Sequence, residues 1–257
     1  LLEPALANAF VPGRNFGVLV ANRRGNQLYQ LGVFGSGTRQ EGRRDLGSAV
    51  TARVSQRFLN DSGGVSHWAI ALSGRQLDAT ERFRSVPEVG IGQEFLVDTG
   101  TIEEAHSTRR VTLEHVRLLD RWTIRGELSS VQGDRAGGPT LNFGGGHIEA
   151  HWTVWGDADL YNDADGTVGR AAVTHSARRG DAWGRGNLIL SARLSHIDLS
   201  DDEVEGGIQT NLSLGAAWDL SSRTRLAANV VHFLELSGPG AAADDSTALA
   251  LRFQYAW

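Results

Sequence analysis

Polar and apolar residues alternate along most of the chain, with the period of two that a β-strand with one wet face requires. Leu212 and Leu214 flank Ser213, and near the C-terminus Arg252 lies between two apolar residues. The runs that follow this rule cover residues 46–58, 66–76, 108–118, 121–131, 142–155, 187–199, 207–219, 225–230 and 249–257. Runs of about ten residues exceed the usual strand length but suit strands that cross a membrane.

No helical face separates these runs, so the pattern predicts an almost entirely antiparallel β fold. The links between the runs differ in length. Asp120 alone and residues 220–222 make tight links, whereas longer polar links occupy residues 133–141, 200–206 and 236–246. Short turns at one end and long loops at the other are typical of outer-membrane barrels, so we predict an all-β, antiparallel transmembrane β-barrel.

The alternation of strand direction along the chain predicts the number of membrane-spanning strands. If the last strand runs towards the periplasm, the short turns fall on the inner side only when residues 77–106 form one long outer loop. We then count about eleven spanning strands in one porin-like barrel domain over residues 1–257. Because single-chain bacterial barrels have even strand numbers, we expect an N-terminally incomplete barrel from a parent of roughly 16 strands. Residues 156–186 are too long for the inner turn expected there, so they form either an inward-folded segment or an additional hairpin.

The composition removes several classes of function. The chain has 257 residues, and its 25 basic residues, all of them Arg, stand against 30 acidic residues for a formal net charge of −5. A nucleic-acid-binding domain is normally basic, so no nucleic-acid partner is expected. The absence of Cys excludes cysteine nucleophiles and thiolate metal sites. No stretch approaches the about 20 apolar residues of a membrane helix.

Several short stretches occur in an order that is similar to one known family. They are Pro12-Gly13-Arg14 with Gly17-Val18, Leu31 to Gly35, Val97 to Gly100, Ser191 to Leu199, Gly206-Gly207, Leu212 to Trp218, Arg225 to Asn229, and Leu251 to Gln254. Together they resemble the phosphate-selective porin O and P family of bacterial outer membranes. The resemblance covers most of the chain in family order, which makes it more specific than any single motif.

The resemblance implies a trimeric barrel in the bacterial outer membrane, in contact with its lipid, that passes inorganic anions such as phosphate. In the family, arginines and lysines guide the anion, and no cofactor is expected. This chain departs from the family in having no Lys, so a lysine-dependent phosphate site either lies in the part of the barrel expected to precede this chain or does not exist. Anion selectivity therefore follows more directly from the resemblance than specificity for phosphate or polyphosphate does.

Arginines within the alternating runs are the candidate functional residues. A basic side chain on the lipid face at mid-membrane costs about 2 to 4 kcal/mol, so these arginines are expected to face a water-filled lumen. The planar guanidinium matches phosphate oxygens, and a ring of such groups in a narrow pore attracts anions. The predicted anion pathway comprises Arg14, Arg53, Arg57, Arg75, Arg110, Arg125, Arg193, Arg225 and Arg252.

A second interpretation of the same arginines is that they pair with acids on the lumen face and stabilise the barrel wall. Glu114, Glu127 and Glu149 are predicted on that face. Arg14, which follows Pro12-Gly13 near the presumed constriction, is the first single candidate for contact with the anion, with an ordinary turn arginine as its alternative.

Two further patterns near residue 147 call for an interpretation. His147, Glu149 and His151 share one strand face, but three side chains so aligned are often too far apart to share a metal ion, so we predict polar lumen lining and no metal. The run Gly144-Gly145-Gly146 lacks a following Lys-Ser or Lys-Thr, so we predict a flexible turn or bulge rather than a phosphate-binding loop.

The predicted function is a passive, anion-selective diffusion channel and not an enzyme. Trp residues near the ends of the runs, with Trp257 at the C-terminus, are typical of the aromatic girdles of membrane barrels. Two alternatives stay open: an outer-membrane barrel with another role, hydrolase-type or structural, and a soluble β-barrel that binds a ligand. For a hydrolase, His232 near Asn229 is the nearest candidate pair.

Overall fold

A computed structural model of the chain describes residues 1–13, 15–37, 47–60, 63–89, 95–177, 184–239 and 246–256. Within them a short 3₁₀ helix, η1 (Leu6–Phe10), precedes the strands. The strands are β1 (Asn15–Arg24), β2 (Gln27–Gly37), β3 (Ala49–Leu59), β4 (Val65–Glu81), β5 (Arg84–Ser85), β6 (Val97–Asp98), β7 (Ile102–Leu119), β8 (Trp122–Arg135), β9 (Leu141–Trp155), β10 (Leu160–Asn162), β11 (Thr167–Gly169), β12 (Asn187–Asp201), β13 (Val204–Asp219), β14 (Thr224–Ser237) and β15 (Thr247–Tyr255). None of the helices in these ranges has the length and hydropathy needed to cross a bilayer.

Eleven long strands form one antiparallel sheet in the order β1-β2-β3-β4-β7-β8-β9-β12-β13-β14-β15. Each strand therefore pairs with its neighbours along the chain, apart from the short strands that form separate pairs β5-β6 and β10-β11. Across the described ranges β1 does not pair with β15, so the sheet is not closed. The predicted all-β fold with about eleven long strands is confirmed.

The two faces of the sheet differ in polarity, as the period of two predicts. On β3, Val50, Val54 and Phe58 are exposed, whereas Arg53 and Ser55 point to the opposite face. The same division holds along the sheet, with exposed apolar side chains on what we call the outer face. The polar positions make up the inner face, which is covered by η1 and by two inward-folded segments.

The largest buried apolar cluster lies on the inner face. Phe10 of η1 contacts Phe83 at a ring-centroid distance of 5.6 Å, and Phe83 contacts Phe143 of β9 at the same distance. Leu6 and Ile197 are fully buried in this cluster. Since burying a large apolar side chain stabilises by about 1.5 to 3 kcal/mol, the cluster holds η1 against the wall.

The link between β4 and β7 is shorter than the predicted outer loop 77–106, and it folds inward. It spans residues 82–101 and carries the β5-β6 pair. Val97 and Phe83, both buried in the inner cluster, bring the link into the barrel instead of leaving it outside. We call this part of the chain the inner loop.

Two sequence predictions about turns were wrong. The predicted long link 200–206 is a tight turn at residues 202–203, because β12 continues to Asp201 and pairs there with Val204, the first residue of β13. The predicted turn or bulge at Gly144-Gly145-Gly146 lies inside β9, where register is regular. A Cβ added at Gly146 would stand 2.5 Å from the carbonyl oxygen of Glu127, so glycine there permits close approach of β8.

Residues 156–186 contain both features that the sequence left open. The β10-β11 hairpin is additional, and it folds inward onto the inner face of the wall. It lies at the end of the sheet where the other links are short: residues 25–26, 60–64, 120–121 and 220–223. We call this end the short-turn end.

Aromatic side chains gather on the outer face near the short-turn end. Trp122 and Trp152 stack with ring centroids 5.8 Å apart, and Trp155 meets Trp218 edge to face at 6.4 Å. This is the placement expected of an interfacial girdle. Trp257, the terminal aromatic of the sequence prediction, lies outside the described residues.

Candidate functional site

The structure places eight of the nine predicted pathway arginines on the inner face of the sheet. Arg14, the first single candidate, lies outside the described residues. The other eight are Arg53 and Arg57 on β3, Arg75 on β4, Arg110 on β7, Arg125 on β8, Arg193 on β12, Arg225 on β14 and Arg252 on β15. They do not form one uniform ring, because their partners divide them into distinct groups.

One group pairs with acids of the wall itself. Arg53 binds Glu114 with both nitrogens of its fork, at 3.0 Å and 2.7 Å. Arg193 donates from Nε and Nη2 to Glu149 Oε2 at 3.0 Å and 2.7 Å, and Arg225 lies 3.6 Å from Asp219. Contacts through two nitrogens, as made by Arg53 and Arg193, fix both side chains.

Arg193 also fastens the inner loop to the wall. Glu88 of that loop is 1% exposed, and its carboxylate accepts hydrogen bonds from Ser195 and Ser213, each at 2.7 Å. Arg193 Nη1 lies 3.4 Å from the same carboxylate, and the backbone N–H of Leu6 donates to it at 3.2 Å. One acidic side chain therefore ties together the inner loop, η1 and strands β12 and β13.

A second group pairs with acids outside the wall. Arg57 forms an ion pair with Asp163 of the inward-folded hairpin, and Arg125 lies 3.5 Å from Asp159 as well as 3.8 Å from the wall acid Glu149. Arg252 binds Glu3 of the N-terminal segment at 2.6 Å.

The environment of Asp159 favours its charged form. Burial by itself raises the pKa of this carboxyl, but the nearby His151 ring and the charge of Arg125 outweigh burial and hold the pKa below its usual value. Asp159 is therefore a carboxylate at neutral pH.

The remaining two arginines line a cavity. It has a volume of about 570 Å³ and lies between η1, the inner loop and the wall strands β4 and β7. Arg75 and Arg110 reach it from the wall, and Arg82 and Arg84 reach it from the inner loop. Four arginines thus line one space, and Glu81 is the single acid among its described lining residues.

The partners of three cavity arginines differ in charge. Arg110 donates to the backbone carbonyl of Phe10 at 2.7 Å, a neutral partner. Arg84 stacks over the Phe95 ring at 3.9 Å. Arg82 forms an ion pair with Asp98. Burial raises the pKa of Asp98, but the bond from Arg82 outweighs it, so the net pKa is lowered.

The His147, Glu149 and His151 set makes protein contacts on the inner face. Glu149 accepts a hydrogen bond from Arg193, and His151 lies 3.5 Å from Glu149 and 3.7 Å from Asp159. The candidate hydrolase pair does not assemble, because Asn229 is buried on the inner face while His232 bonds Thr247 at the exposed outer face. A base and the residue that would orient it cannot interact from opposite faces of one strand.

Sequence reasoning missed Glu88, Arg82, Arg84 and the hairpin acids. Glu88 carries no local pattern, because its side-chain partners on β12 and β13 lie 105 to 125 residues further along the chain. The hairpin acids had one usable signal, which is an acidic stretch inside a link that is too long for a turn.

An antiparallel wall with an apolar outer face, an aromatic band near one end and a charged inner face is the architecture of a membrane β-barrel channel. The family model for phosphate-selective porin O and P matches residues 4–257, nearly the whole chain. The chain therefore belongs to the phosphate-selective porin O and P family. A search of curated proteins found no match. The family is one of channels rather than enzymes, and it implies phosphate passage across the outer membrane.

Proposed function

We propose that this protein is a passive, arginine-lined, anion-selective diffusion channel, within one barrel domain that functions as a homotrimer in contact with outer-membrane lipid. The observation that carries the proposal is the cavity lined by Arg75, Arg84 and Arg110, where Glu81 is the one acid among the described lining residues and Arg82 is already paired with Asp98. A surplus of guanidinium groups in a confined, low-dielectric space raises the local concentration of anions and repels cations.

The paired arginines take a different part in this proposal. Arg53, Arg193 and Arg225 are neutralised by wall acids and hold the barrel in shape, as the second sequence interpretation expected. Arg75 and Arg110 contribute the field that an anion meets. Arg14, Arg57, Arg125 and Arg252 remain proposed members of the pathway. Phosphate and polyphosphate are the proposed cargo because their oxygens fit the guanidinium fork.

Flow requires that each contact be weak. A permeating anion leaves one guanidinium group as it binds the next, and a single tight binding site would stop conduction. Arg110 meets this requirement because one of its nitrogens already donates to a carbonyl and does not bind the anion.

The test is the reversal potential of the protein in planar bilayers under a KCl gradient, with phosphate added afterwards. We expect a potential of anion-selective sign and block of the chloride current by phosphate. Arg110→Gln should reduce both effects. Arg109→Gln is the matched control. Arg109 directly precedes Arg110 in the chain, but it lies exposed on the outer face beside Asp134. Cation selectivity of the unmodified protein would refute the proposal.

A further inference from the structure

The segment that folds in from the short-turn end is unusually acidic. Residues 157–165 contain four aspartates, and they form most of the β10-β11 hairpin. The link that contains the hairpin is 31 residues long, from 156 to 186, whereas the other links at this end have two to five residues. We call residues 157–170 the acidic hairpin.

The acidic hairpin contacts wall strands on widely separated parts of the sheet. Tyr161 hydrogen-bonds His67 Nδ1 on β4 at 2.6 Å, and Asp163 pairs with Arg57 on β3. Asp159 pairs with Arg125 on β8 at 3.5 Å. Arg170 lies 3.5 Å from Asp219, at the end of β13. The hairpin therefore lies across the inner face from β3 to β13 and narrows the lumen at its short-turn end.

The carboxylates of the hairpin occupy the positions that a permeating anion would use. Asp163 presents carboxylate oxygens to Arg57, and Asp159 presents them to Arg125. A phosphate would present similar negatively charged oxygens to these guanidinium groups. The wall acid Glu114 lies within a long strand, but the hairpin acids flank strands of only three residues each. An isolated two-stranded hairpin is marginally stable, so its position depends on these contacts with the wall.

We propose that the acidic hairpin is a tethered competitor of the permeating anion, which occupies wall arginines at the short-turn end and occludes the lumen until anions displace it. This rests on the proposed function, in that Arg57 and Arg125 must belong to the anion pathway. Release is favoured by salt, because the Debye length falls from about 10 Å at 0.1 M to about 3 Å at 1 M. Asp163 is exposed to solvent, so its ion pair is screened readily.

The first test compares two aspartates of the same hairpin by single-channel recording. Asp163→Asn removes a contact with the wall, whereas Asp165→Asn removes the same charge from a residue that bonds Thr167 within the hairpin. At about 0.1 M KCl, Asp163→Asn should raise the ratio of open to occluded time about five-fold, the upper range for a partly exposed ion pair. The difference should disappear at about 1 M KCl. Equal behaviour of the two variants at low salt would overturn the proposal.

The second test locks the hairpin in place. The chain has no Cys, so Ser55→Cys with Gly166→Cys introduces one possible disulfide. A Cβ at Gly166 would lie 3.4 Å from Ser55 Oγ, close enough for the bond. The oxidised double variant should stay in the occluded level, and reduction should restore opening. Gly166 has φ +69°, so the single Gly166→Cys variant controls for backbone strain. Opening that persists in the oxidised protein would contradict the proposal.

The reversal potential, measured in the same recordings, distinguishes failure of the hairpin proposal from failure of the proposed channel function. If all variants keep the conductance of the unmodified protein and its anion selectivity, the hairpin proposal is wrong and the proposed function stands. If the unmodified protein is cation-selective, the proposed function itself is wrong.

Discussion

Glu88→Ala removes the side chain that ties the inner loop to the barrel wall. The substitution deletes acceptors for Ser195, Ser213 and the backbone of Leu6, and it takes one carboxylate from Arg193. Glu88 also has φ +49°, a left-handed backbone that a residue with a Cβ adopts at a cost of about 1 to 2 kcal/mol. The bonds of the side chain offset that cost in the folded protein.

The size of the effect follows from the burial of the carboxylate. Removing one partner of a buried ionic contact costs about 3 to 5 kcal/mol. Arg193 keeps its bidentate contact with Glu149, so we expect the lower end of this range. A loss of about 3 kcal/mol corresponds to roughly 150-fold in the equilibrium between the docked and released inner loop. Glu88→Gln, which keeps an acceptor but loses the charge, should lie between the two proteins.

Tryptic cleavage after Arg84 measures release of the inner loop. The following residue, Ser85, is buried and donates to the carbonyl of Leu6, so the protease reaches this bond only after the loop leaves the wall. The cleavage rate then follows the population of the released form. Glu103→Ala, an exposed acid at the start of β7, is the control for loss of one negative charge. Equal cleavage rates for Glu88→Ala and the unmodified protein would refute the role given to Glu88.

Three other predictions concern the wall, the outer face and the hairpin. Arg53→Gln leaves Glu114 without its bidentate partner and should cost about 1 to 3 kcal/mol in thermal unfolding, most of it recovered by adding Glu114→Gln; an unchanged melting temperature would contradict this. The fluorescence of Trp122 should be quenched by brominated lipid chains, and Trp122→Phe should remove that quenched component; no difference between the two would place the apolar face away from lipid. Hydrogen bonds from Thr174 lower the pKa of Asp157 below 3.8, so their contribution is complete above that pH and is lost as pH falls through the lowered pKa. Hydrogen exchange of the hairpin, corrected for intrinsic rates, should therefore show protection down to about pH 3.8, and loss of protection near pH 5 would contradict it.

The wall was predictable from the sequence because its signal is local. Alternation along β3 places Arg53 and Arg57 on one face and Val54 on the other, whatever the remaining strands do. Alternation also predicted Glu114 on the lumen face, as one of the acids that can form ion pairs with these arginines. It did not assign Arg53 to Glu114, because that pair joins residues 61 positions apart through the register of three strands.

The inward-folded segments were not predictable in the same way. The inner loop is held by Glu88, whose contacts depend on where β12 and β13 lie, and its strands have two residues each. The hairpin strands have three residues each, too few for a period of two to stand out. The division between wall arginines and cavity arginines depends on these segments, so sequence reasoning predicted one set of arginines where the structure shows several groups.

The most direct test of the central claim compares an arginine of the cavity with a neutralised pair of the wall. The reversal potential is measured under one KCl gradient for Arg110→Gln and for the double variant Arg53→Gln with Glu114→Gln. The double variant removes a bidentate pair without changing the net charge of the lumen, so it should keep the reversal potential of the unmodified protein. Arg110→Gln should move the potential towards zero. An unchanged potential in Arg110→Gln, or an equal shift in both variants, would contradict the account.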